Sequence, residues 1–160
     1  MLQDLAGQVI QRLDEVSNHY YQLILIVGPS GSGKTSLMRK LEDHVSGNVI
    51  NLAFELSYKL LNLSARQRIS QLSTFLKEVT DKFPVDPLLL DNTEILFDPS
   101  LKHDPLVLLQ KLARNRKIVA SWNGVVKKGW LIHAEPWHAE YRRYQVSDVV
   151  IINLSHDEYL

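Results

Sequence analysis

Residues Gly28-Pro29-Ser30-Gly31-Ser32-Gly33-Lys34-Thr35 match the pattern G-x-x-x-x-G-K-[ST] at every fixed position. The chemistry of such a run is phosphate binding. Its glycines let backbone N–H groups curl around phosphate oxygens, and the N-terminus of a following helix adds positive potential. Lys34 is placed to reach the β and γ phosphates of a nucleotide, Thr35 offers its hydroxyl to magnesium, and Ser36 is counted with the same binding segment. The expected ligand is ATP with Mg2+. Adenine is preferred over guanine only by default, because no guanine-reading N-K-x-D string occurs. A glycine-rich turn without a ligand is the competing reading, and the flanking elements set out below weigh against it.

The carboxylates come next. Leu88-Leu89-Leu90-Asp91 has the form of a Walker B strand, in which an acid at the carboxyl end of a buried strand holds the magnesium. Apolar runs also end in aspartate because aspartate starts turns, but one strand-helix-strand unit downstream of the phosphate loop the metal role is favoured. Thr35 and Asp91 are therefore the expected metal residues. Three positions on, Glu94 is a candidate to orient and deprotonate the attacking water, in competition with a solvated glutamate at a helix start. The place directly after Asp91, where many ATPases carry that glutamate, is held by the amide Asn92. Asn123 ends another apolar run and suits a sensor of the γ-phosphate or of the attacking water. Asn123-Gly124 is equally a hairpin signal, and both readings stand.

His133 and His138, with Glu135 between them, lack a third suitably spaced ligand, so a metal site is not assigned there. Trp122, Trp130 and Trp137 interleave with Lys127, Lys128, Arg142 and Arg143. Such a set stacks on single-stranded nucleic acid or packs a hairpin onto the core, and packing is the favoured reading.

These residues need elements to position them. Leu2, Leu5, Ala6, Val9, Ile10, Leu13 and Val16 recur at helical spacing and predict an amphipathic helix within 1–17. The run 22–27 (QLILIV) predicts a strand buried on both faces. A helix should follow from Lys34, with Leu37, Leu41 and Val45 on one face and Gly47 as its C-cap. A strand is expected over 48–53, then helical sequence bearing Leu56, Leu60 and Leu63, then a helix over 65–79. After Pro84 and Pro87, the strand 88–90 ends in Asp91. Asp104-Pro105 reads as an N-cap with proline at the first helical position, and Arg114 and Arg116 complement that helix's dipole. A strand over 117–122 follows, then a hairpin around Lys127-Lys128-Gly129, then a last strand over 148–154. Alternation of strands with helices predicts a parallel, doubly wound α/β sheet with its ligand at the strands' carboxyl ends.

Size and charge narrow the classes further. The chain has 160 residues, 45% hydrophobic and 22% charged, which suits one folded domain over 1–160 with a hairpin insertion over 124–147. Lysine plus arginine and aspartate plus glutamate are balanced at 18 each, so no global field draws the chain to nucleic acid or an anionic membrane. Cysteine is absent, which removes disulfides and thiolate chemistry and fits a cytoplasmic location. No signal peptide or membrane anchor is expected.

Taken in order, GPSGSGKT, LLLDNTEILFDPS, LARNRKIVASWNG and AEPWHAEYRRY resemble the BrxF family, small P-loop proteins of bacterial type-3 BREX phage-defence systems. The resemblance spans most of the chain. GPSGSGKT is common to P-loop proteins in general, whereas DNTEILFDPSLKHDPL, WNG and EYRRY carry the specificity. More broadly the chain looks like an AAA-type ATPase core. That resemblance implies a three-layer P-loop NTPase with a sheet of about five strands, the sensor strand lying between the P-loop and Walker B strands and Asn123 at the sensor position. The helical lid and sensor arginine of AAA-type proteins are not expected, because the sequence runs only a little beyond its last predicted strand. Closure over nucleotide would then depend on another subunit. Arg142 and Arg143 fall where AAA-type enzymes commonly place an arginine finger that completes a neighbour's site; the alternative is a surface pair between Tyr141 and Tyr144. The implied role is an accessory subunit that binds ATP and hydrolyses it slowly, coupling nucleotide state to other phage-defence proteins or to an ATP-dependent homo-oligomer. Balanced charge favours protein partners and leaves contact with DNA open. Two further functions compete: a small-molecule or nucleoside kinase, against which no arginine-bearing lid is evident, and a switch that holds ATP without turnover.

Overall fold

The computed structural model describes residues 2–146 and 149–154. Among them, strands β1 (Leu23–Gly28), β2 (Val49–Asn51), β3 (Leu88–Asp91), β4 (Ile118–Asn123) and β8 (Val150–Asn153) form a parallel sheet in the order β2-β3-β4-β1-β8. Strands β5 (Val125–Lys127), β6 (Trp130–His133) and β7 (Arg142–Gln145) form a separate antiparallel sheet. The expected α/β class with a parallel sheet is therefore observed, and β4 does lie between β1 and β3.

The unbroken apolar run of β1 follows from burial on both faces. Leu23, Leu25 and Val27 join one hydrophobic cluster, while Ile24 and Ile26 join the other. Helices α1 (Leu2–Val16) and α2 (Lys34–Leu41) cover the second face with Ala6, Val9, Leu13 and Val16 and with Leu37, Met38 and Leu41. Helices α3 (Leu52–Leu60), α4 (Ala65–Asp81) and α5 (Pro105–Leu112) cover the first.

Local chemistry sets where these elements stop. Strand β2 ends at Asn51, short of the expected 53, because the Asn51 side chain accepts a hydrogen bond from Phe54 N and caps α3. Helix α4 starts with a capping box in which Ser64 and Gln67 bond reciprocally. Asp104 caps α5 ahead of Pro105, as expected. Helix α2 ends at Leu41, before the expected Val45. The carboxylate of Glu42 instead accepts a 2.7 Å bond from Val49 N, which draws the chain into β2. Gly47 is thus no helix cap; a Cβ there would lie 2.8 Å from Val85 Cγ2, so close packing explains the glycine. Neither arginine after α5 serves that helix. Arg116 donates to the carbonyls of Thr80, Phe83 and Val85 at the end of α4, and Arg114 lies 3.5 Å above the Tyr20 ring.

The expected hairpin around Lys127-Lys128-Gly129 is present, with Lys128 at φ 50° and Gly129 at φ 81° as a two-residue loop requires. Its third strand, β7, was not expected. Tyr144 in β7 packs edge-on against Trp122, and its hydroxyl donates to Asp104 Oδ1 at 3.0 Å. Burial, then the Asp104 carboxylate, raises the Tyr144 phenol above its ordinary value. The folded protein therefore holds this proton more tightly than the unfolded chain. The stability it contributes is whole below about pH 10 and is lost as pH rises past that value. Tyr144→Phe should cost about 1 kcal/mol at neutral pH and make the alkaline decline in urea-unfolding stability shallower than in the wild type. No helix among the described residues is long and apolar enough to cross a membrane.

Candidate phosphate-binding site

Parallel register brings three strand ends together. Gly28 of β1 pairs with Asn123 of β4, and Leu90 of β3 pairs with Ala120, so the loop after β1, Asp91 and Asn123 share one edge of the sheet. The chain between β1 and α2 turns tightly there, with Gly31 at φ 79° and Gly33 at φ 100°. Gly28 is packed closely as well: a Cβ on it would come within 2.3 Å of Ser32 Oγ. A cavity of about 350 Å3 opens above this edge, lined by Ser30, Gly31, Gly33 to Ser36, Asp91, Asn92, Glu94 and Asn123. A larger one, about 700 Å3, lies beside Tyr20, Tyr21 and Val150 at the amino ends of β1 and β8. Among the described residues it gathers no comparable set of converging polar groups.

Lys34 is buried, 7% exposed, and each of its three ammonium protons has an acceptor: Gly28 O at 2.7 Å, Pro29 O at 2.8 Å and Asn123 Oδ1 at 2.8 Å. Burial lowers the Lys34 ammonium from its ordinary value, while the charges of Glu94 and Asp91 hold it up. Thr35 Oγ1 donates to Asp91 Oδ2 at 2.6 Å, and the other carboxylate oxygen accepts from Asn92 N at 2.9 Å. Every residue of the expected binding segment from Gly28 to Ser36 thus lies at or beside one cavity, together with Asp91, Glu94 and Asn123. The Asn123 side chain accepts from Lys34 at the cavity, and the chain beyond Gly124 enters the small sheet, as the hairpin reading expected.

The donor set suits magnesium. Thr35 and Asp91 present hard oxygens on the wall of the cavity, and few protein oxygens are what Mg2+ takes when phosphates and water complete its shell. Among the described residues no group of three or more histidine, aspartate or glutamate side chains is gathered to hold a metal by itself.

Arg142 and Arg143 lie on β7, away from the cavity of their own chain. Arg142 donates to His103 O at 3.2 Å, and Arg143 stacks 4.1 Å over Trp130. Trp122 is fully buried in the core, whereas Trp137 is 83% exposed. His138 Nδ1 accepts from Glu140 N within its own loop.

Four residues that shape the surroundings of the cavity are given no role by the sequence reading. Asn92 takes φ 55°, a left-handed conformation that turns the chain straight after Asp91 into the short 3-10 helix Thr93–Phe97 bearing Glu94. Thr93 is buried and donates to Ser121 O at 2.5 Å, which pins that helix to β4. Phe97 and His133 stack with ring centroids 3.7 Å apart. The available signal was the polar triplet after LLLD, since asparagine tolerates the left-handed region and a threonine hydroxyl can satisfy a buried carbonyl.

Comparison of the chain with protein-family models, with curated proteins and with solved structures finds no match.

Proposed function

We propose that this chain is a P-loop NTPase of AAA-like, three-layer architecture that binds Mg-ATP at Gly28 to Ser36 and hydrolyses it slowly. The observation that carries the reading is the convergence of Lys34, Thr35, Asp91 and Asn123 at one cavity, from three separate places in the sequence. A glycine-rich turn without a ligand gives no reason for a buried lysine to be held between two backbone carbonyls and a strand-end amide. In this reading Lys34 and the loop N–H groups bind the β and γ phosphates. Thr35 and Asp91 hold the magnesium, which supplies charge neutralisation for phosphoryl transfer. Glu94 orients water and accepts its proton, and Asn123 senses the γ-phosphate. The position of Glu94 on the cavity wall favours turnover over a switch that only holds ATP.

The wider role, an accessory subunit of a bacterial BREX phage-defence complex with other defence proteins as partners, rests on the sequence resemblance of GPSGSGKT, LLLDNTEILFDPS, LARNRKIVASWNG and AEPWHAEYRRY. In such an assembly Arg142 or Arg143 would act on a neighbouring subunit's site. The direct test is thermal unfolding of the wild type with ATP and magnesium, and with ATP and EDTA. At ligand a hundredfold above Kd, Tm should rise by roughly 5–10 °C with magnesium and by clearly less with chelator. No rise under either condition overturns the reading.

A further inference from the structure

His133 is buried in β6 of the small antiparallel sheet, yet it touches both catalytic elements of the proposed site. Its Nδ1 lies 2.5 Å from the backbone carbonyl of Asn123. A carbonyl only accepts, so Nδ1 carries the proton and donates. The same ring stacks on Phe97, 3.7 Å between centroids and 25° between planes, at the end of the 3-10 helix that bears Glu94. Its Nε2 faces Glu140 Oε1 at 3.5 Å, in the chain between β6 and β7. Trp122 Nε1, beside it, donates to Ile132 O at 3.2 Å. The small sheet is thus fastened to the polar end of β4 from two consecutive residues of β6. There is no slack at this joint: a Cβ on Gly124 would fall 1.8 Å from Ile132 O.

Asn123 has a second commitment on its side chain. Its Oδ1 takes one of the three Lys34 protons, and the other two go to backbone carbonyls. An ammonium has no fourth donor, so a γ-phosphate oxygen can engage Lys34 only by displacing one of these acceptors. The side-chain amide is the acceptor that can leave without deforming the loop. Once released, it presents its own NH2 to the phosphate.

We propose that His133 is a positioning residue which transmits this exchange, so that the sheet β5 to β7 reports whether a γ-phosphate is bound. The inference rests on the Mg-ATP reading of the site and assigns that site its output: the response of the small sheet distinguishes triphosphate from diphosphate.

The test is amide hydrogen exchange on the full chain, saturated either with magnesium and adenylyl imidodiphosphate or with magnesium and ADP, with binding verified by calorimetry. In the wild type, peptides covering 125–145 should differ in protection between the two nucleotides. His133→Phe keeps the ring against Phe97 but has no donor for Asn123 O; it should bind both nucleotides as the wild type does and lose the difference. His133→Asn, whose side-chain NH2 can replace Nδ1–H, should regain it. Saturated wild-type protein showing equal protection with both nucleotides overturns the coupling and leaves the ATP site standing. Equal differences in wild type and His133→Phe remove His133 from the path. Failure of the wild type to bind either nucleotide overturns both readings together. Because the wild-type comparison decides the first point by itself, poor folding of a variant does not shield the proposal.

Discussion

Lys34→Ala is expected to abolish measurable ATP binding. In the proposed reading Lys34 makes charge-assisted hydrogen bonds to two phosphates, and their loss would amount to about 3 kcal/mol or more, at least two orders of magnitude in Kd. The fold should survive, because the side chain reaches the cavity rim and water can satisfy the carbonyls of Gly28 and Pro29. Calorimetric titration of ATP with magnesium into the variant, alongside a melt to show that it is folded, checks both points. An affinity equal to that of the wild type would remove the phosphate role from the loop, whatever else the cavity binds.

The second large effect concerns turnover. Glu94 lines the cavity near Asp91, and its charge is felt by Lys34. Glu94→Gln keeps the shape and removes the proposed base, so ATP affinity should be unchanged while phosphate release slows by about 10²–10⁴-fold. Equal, near-background rates in both proteins would identify the chain as a switch that holds ATP. Transfer of phosphate to an added metabolite faster than to water would mark it as a kinase. Asn92 gives this experiment added point: the residue directly after Asp91 is an amide in a left-handed turn, so the glutamate reaches the cavity from the next helical turn.

Much of the site could be read from residue order because its parts are local. A phosphate loop needs a strand before it and a helix after it, and the glycine-rich run has both, contiguous from Leu23 to Leu41. Asp91 was legible for a similar reason, as the polar end of a short apolar run. What escaped the sequence depends on contacts between distant segments. Strand β7 contains Arg142, Arg143, Tyr144 and Gln145, with no apolar run, and it forms by pairing with β6, Tyr144 lying opposite Leu131. The early end of α2 depends on Glu42 reaching Val49, and the use of Gly47 depends on Val85. His133 lies near the site by way of Asn123 and Phe97, neither of which its own neighbourhood reveals. From the sequence His133 reads as an ordinary surface or loop residue, whereas it is buried at the end of β6.

The position of β1 within the sheet also bears on how the chain reaches its native state. Both hydrogen-bonding partners of this strand come late: β4 begins at Ile118 and β8 at Val150, whereas β1 begins at Leu23. During synthesis the strand that leads into Gly28 to Thr35 is therefore among the first made and among the last to be paired on both sides. Contacts so far apart in sequence slow folding, and an unpaired LILIV segment is sticky while it waits. Nascent chains should thus depend on protection of this stretch until the final strand has emerged.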